Sequence, residues 1–102
     1  MLARFERSVG VQHPFATEAL LGMGETLKAA GELERAEDFY RAALDNQKGP
    51  YAERRVIMAE CLEGYADLLR RGGRLAEAAT IAARAAAVRA YLQAELLKTH
   101  RA

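Results

Sequence analysis

The sequence predicts an all-α fold of paired helices, on three observations. Apolar residues recur at helical spacing in four stretches, among them Leu20, Met23 and Leu27 in the first and Leu62, Tyr65 and Leu69 in the third. Glycine and proline punctuate the chain between stretches, at Gly10, Gly31, Lys48-Gly49-Pro50 and Gly72-Gly73. The two halves also share one offset: Gly31 and Gly73, like Ala36 and Ala78, stand 42 residues apart.

Each element follows from its residues. Leu2, Phe5 and Val9 have helical spacing, so residues 1–9 read as the tail of a helix that Gly10 ends. Pro14 then opens a helix to about Ala30, since the missing proline N–H costs nothing in a first turn. Its stripe is Leu20, Met23 and Leu27, and Gly31 ends it in the left-handed conformation that glycine adopts cheaply. Gly24 costs roughly 1 kcal/mol against alanine mid-helix and so calls for a packing reason; Gly22 has none in the sequence. A second helix runs from about Glu32 to Gln47. Its stripe is Leu33, Ala36, Tyr40, Ala43 and Leu44, and Glu32, Glu34, Glu37 and Asp38 crowd the end where the helix dipole favours anions. Tyr40 reads as core rather than as a ligand platform.

Pro50 opens a third helix to about Arg71, with Tyr51, Met58, Leu62, Tyr65 and Leu69 as its stripe and Arg70 and Arg71 on its negative end. The fourth runs from about Arg74 to Thr99. Leu75, Ala78, Ala82, Ala85, Leu92 and Leu96 form its main stripe, which leaves Ile81, Val88 and Tyr91 partly off it.

The run Leu20-x-x-Met23-Gly24-x-x-Leu27, then Gly31, Ala36-x-x-x-Tyr40 and Ala43, resembles the tetratricopeptide repeat. Leu62-x-x-Tyr65-Ala66-x-x-Leu69, with Gly73, Ala78 and Ala85, is a weaker second copy. Val9-Gly10-Val11-Gln12-His13-Pro14 is similar to the Leu-Gly-x-x-His-Pro junction of kinesin-light-chain-type repeats, which are likewise longer than the ordinary ~34 residues. The second junction departs from that pattern, with Arg55 and Val56 where His13 and Pro14 stood. The resemblance implies a right-handed α-α superhelix of two hairpins plus an N-terminal stub. Within one domain it divides the chain into a stub at 1–12, repeats at 13–48 and 50–90, and a C-terminal helical extension at 91–102. It implies that Gly24 lets the first helix approach the second at Ala36. It also implies that repeat 2 is the last full unit, because Ala82 replaces the large side chain that braces a following repeat.

Composition narrows the function. Fifteen basic against 14 acidic residues, a net charge of +1, give no electrostatic case for nucleic acid or an anionic membrane. No apolar run approaches a membrane span, and the N-terminus lacks the apolar core of a secretory signal. One cysteine, Cys61, excludes an internal disulfide and suits a reducing, cytoplasmic setting. Without a nearby base Cys61 reads as a buried or half-buried small apolar side chain, not a nucleophile. His13 and His100 are too few for a metal site. No phosphate loop, dinucleotide fingerprint or nucleophile elbow occurs. The expectation is a non-enzyme without cofactor, metal or catalytic residues.

The resemblance implies a protein-protein interaction scaffold whose concave face is lined by the first helix of each hairpin. Carried over by position, that face offers Glu18, Leu21, Glu25 and Lys28, then Glu60, Glu63, Asp67 and Arg70. Glu25 and Asp67 stand where carboxylate-gripping arrays place asparagine, and an ionised carboxylate only accepts hydrogen bonds. The groove is therefore expected to be acidic, edged by Lys28 and Arg70, and to prefer a basic or mixed-charge protein segment. The same charges also suit a merely solvated face. The alternative is a structural module that forms homodimers through its terminal helices, with Ile81, Val88, Tyr91 and Leu97 available for contact.

Overall fold

The computed structural model of the chain describes residues 14–47 and 56–101. The expectations for residues 1–13, His13 included, and for 48–55, Pro50 and Tyr51 included, lie outside them. Every regular element among the described residues is a helix: α1 Pro14–Ala29, α2 Leu33–Asp45, α3 Val56–Arg71 and α4 Leu75–Arg101.

The two short turns are built alike. Gly31, at φ 84°, donates its N–H to the Lys28 carbonyl, and the Glu32 N–H reaches back to Leu27. Gly73, at φ 79°, donates to Arg70, and the Arg74 N–H reaches Leu69. Both are Schellman closures, in which a left-handed glycine satisfies the last carbonyls of a helix. Every partner in the second turn lies 42 residues after its counterpart, so the repeat read in the sequence is a repeat of hydrogen bonds. The flanking ion pair is repeated too, with its sign reversed: Glu32 pairs with Arg35 at 2.9 Å, Arg74 with Glu77 at 2.7 Å.

Each turn folds its helices into an antiparallel hairpin. In the first, Leu20 packs near Ala43 and Leu27 near Ala36. In the second, Met58, Ala59 and Leu62 meet Ala85 and Val88, while Leu69 meets Ala78 near the turn. The hairpins join because α3 also packs on α2 and α1. It is therefore buried beyond a single stripe: Ala59, Cys61, Gly64, Ala66 and Leu68 are enclosed along with Met58, Leu62, Tyr65 and Leu69. Cys61 is fully buried, as expected, and burial pushes its thiol up to about 12.

Three stripe positions differ from expectation. Met23 is 48% exposed, because the α1 side chains that meet the interior are Thr17, Leu20 and Leu27, with Gly24 between them. Leu75 and Leu96 are 65% and 57% exposed. The interior-facing line of α4 runs instead through Ala78, Ala85 and Val88, flanked by the half-buried Ile81 and Leu92. Val88, expected off the stripe and free for a partner, is core.

Candidate functional site

Tyr40 sets the geometry of the surface shared by the hairpins. It is fully buried, and its ring lies between two glycines of different helices. A Cβ on Gly24 would stand 3.2 Å from the ring, and one on Gly64 only 2.7 Å away. Gly24 thus admits the Tyr40 ring as well as the Ala36 backbone named in the expectation. Gly64 does the same for α3, and Tyr65 stacks on Tyr40 at 6.2 Å between centroids. The Tyr40 hydroxyl donates to Glu25 on α1. Burial, with the Glu25 carboxylate beside it, drives the phenol pKa far above its ordinary value, so Tyr40 stays protonated.

Above this ring the structure brings together four of the eight expected site residues, Glu25, Lys28, Asp67 and, at the edge, Arg70. The Lys28 ammonium lies 3.1 Å from Glu25, 3.3 Å from Asp67 and 3.3 Å from the Gly64 carbonyl, and 5.5 Å from the Tyr40 centroid. Its side chain is only 12% exposed, so Lys28 sits between the two acids rather than at the groove's edge. Burial raises the Asp67 pKa, but Lys28, Arg71 and Arg70 outweigh it and hold the carboxyl below its ordinary value. Arg71, at 3.1 Å, is a closer partner of Asp67 than the expected Arg70 at 3.9 Å.

The other expected residues are dispersed. Leu21 is half-buried and packs against the core. Glu63 accepts two hydrogen bonds of 2.9 Å from Arg89 on α4, which keep its pKa low. Glu18 and Glu60 are exposed, and no ion pair holds either among the described residues. Much of the expected negative charge is thus neutralised within the chain.

A second junction had no expectation attached to it. Glu37 on α2 accepts from Arg74 at 2.7 Å and from the Tyr65 hydroxyl at 2.8 Å, and forms an ion pair with Arg41 at 2.9 Å. Burial alone would raise its pKa; Arg74, Tyr65 and Arg41 together lower it. A cleft of about 300 Å³ opens beside Glu37, between Leu33, Leu68 and Arg74, away from the eight expected residues. The only hint of this junction in the sequence is the sign-reversed pair at Glu32/Arg35 and Arg74/Glu77, which marks Arg74 as a place where the second repeat departs from the first.

Among the described residues no group of three His, Cys, Asp or Glu is placed to hold a metal ion, and no helix is long and apolar enough to cross a membrane. No family model matches the sequence, and comparison with curated proteins and with solved structures finds no match.

Proposed function

We propose that the chain is a non-catalytic, cytoplasmic interaction module of tetratricopeptide type, of the kinesin-light-chain-like class. It takes a basic or mixed-charge protein segment across α1 and α3. The observation that carries this reading is the pair of exposed acids Glu18 and Glu60, one on each of these two helices, which no ion pair holds among the described residues. Glu25, Asp67 and the Gly64 carbonyl, from two helices, surround one ammonium group. Lys28 already fills that constellation, which leaves Glu18 and Glu60, exposed on the same two helices, to meet a partner's cations. The equivalent closures of both turns support the repeat assignment.

The test uses lysine-rich and glutamate-rich peptide pools in fluorescence polarisation. Binding should favour lysine and weaken with salt, as exposed charge pairs do. Reversal at Glu25 or Asp67 would also disturb Tyr40 and Lys28. Glu18→Lys with Glu60→Lys is the cleaner variant, expected to weaken binding about tenfold, since two exposed pairs contribute up to ~1 kcal/mol each. Equal binding of both pools, unchanged by the double reversal, would rule the groove out.

A second reading, self-assembly, is favoured by the exposed Leu75, Leu96 and Leu97 on α4.

A further inference from the structure

The repeat identifies an open surface. Hairpin 1 seats hairpin 2 through Glu37, which holds Tyr65 and Arg74, through Tyr40, whose ring lies against Gly64, and through Leu33 and Leu44, which pack against the clusters that contain Leu68 and Leu69 and Met58 and Leu62 respectively. Forty-two residues on, the equivalent positions are Leu75, Ala79, Ala82 and Ala86. Three are exposed and Ala82 is half-buried. The line continues along α4 through Ala90 and Gln93 to Leu97, also exposed, and none of the seven side chains is charged. Arg89, at its border, is neutralised by the paired hydrogen bonds to Glu63.

We propose that a second copy of the chain closes this face, α4 against α4 in antiparallel about a two-fold axis near Ala86. The proposal deepens the self-assembly reading and rests on it. Two features choose this occupant. A further hairpin like hairpin 2 would find alanine where Tyr40 and Leu44 fill the first interface, and would leave voids there. A straight helix meets no such voids, because alanine facing alanine lets two helices approach to the near end of the usual ~8–10 Å separation. The register is also self-complementary, as a two-fold contact requires. With Ala86 facing itself, Ala82 faces Ala90 of the second copy, and Leu75 meets Leu97 at both ends, so two of the most exposed leucines cover each other.

Sedimentation across a wide concentration range should give twice the chain mass. Ala86→Glu sets like charges face to face on the axis and should weaken the dimer at least tenfold, with helicity by circular dichroism unchanged. Ala86→Cys should form a disulfide with itself under mild oxidation. Leu75→Cys should cross-link only when mixed with Leu97→Cys chains, while buried Cys61 gives no cross-link in the unaltered protein. A dimer that persists in Ala86→Glu and gives none of these cross-links would overturn the α4 face while leaving self-assembly standing. A monomer mass at every concentration would overturn both.

Discussion

At the scale of the residue, the glycines separate two roles that look identical in the sequence. Gly22 and Gly64 both interrupt a helix, where glycine costs roughly 1 kcal/mol against alanine. A Cβ on Gly22 meets nothing within 4 Å; one on Gly64 meets the Tyr40 ring at 2.7 Å and its oxygen at 2.8 Å. Tyr40 is fully buried and has no room to yield. Gly22→Ala should therefore stabilise the protein by about 0.5–1 kcal/mol, and Gly64→Ala should destabilise it by about 1–3 kcal/mol despite the better helix former. Urea titration of the two variants reads both signs. A stabilising Gly64→Ala would mean that the ring does not seat on α3 as described.

At the scale of the element, much of the architecture was legible in the sequence and the junctions were not. Leu20, Leu27, Ala36, Tyr40, Leu62 and Leu69 are buried as their spacing predicts, and Gly31 takes the left-handed turn expected of it. Helical periodicity fixes which residues share a face, but it does not fix how one hairpin sits on the next. That is why Gly64 and Leu68 were missed, why Met23 and Leu75 were misplaced, and why Lys28 was put at an edge. The Glu37 junction left only the sign-reversed Arg74/Glu77 pair as a hint, since Glu37 and Arg74 are 37 residues apart. It gives a pH prediction. Glu37 and Asp67 have folded-state pKa values below their ordinary 4.5 and 3.8. The unfolded chain therefore binds protons first as pH falls. Their contribution is present above about pH 4.5 and is lost as pH falls through the ordinary values and then the lowered ones. The urea midpoint should drop between pH 5 and pH 3. Glu37→Gln should be about 1–3 kcal/mol less stable at pH 7, because it removes charge-assisted bonds, and should show a shallower acid dependence. A midpoint flat from pH 5 to pH 3 would contradict this role for the two carboxylates.

At the scale of the whole molecule, stacked hairpins are stable by the sum of what each holds internally and what their interface adds. Hairpin 2 has a cluster of its own in Met58, Leu62, Ala85 and Val88, whereas the interface is centred on one side chain, Tyr40. Truncating Tyr40 should thus act on cooperativity as well as on stability. Tyr40→Ala should cost about 3–5 kcal/mol, as loss of a buried aromatic does, out of the ~5–15 kcal/mol typical of a domain. Tyr40→Phe keeps the ring between Gly24 and Gly64 and loses only the hydroxyl bond to Glu25, for about 1 kcal/mol. Hydrogen exchange resolves the two effects by residue. In Tyr40→Phe, protection should decline evenly and unfolding should stay in one step. In Tyr40→Ala, α1 and α2 should lose protection first while α3 and α4 keep theirs around Leu62 and Ala85. If all four helices lose protection together in Tyr40→Ala, hairpin 2 does not stand on its own cluster. If both variants lose the same small amount, the hydroxyl and not the ring carries the contribution of Tyr40, and the junction of the hairpins must rest on the Lys28 and Glu37 networks.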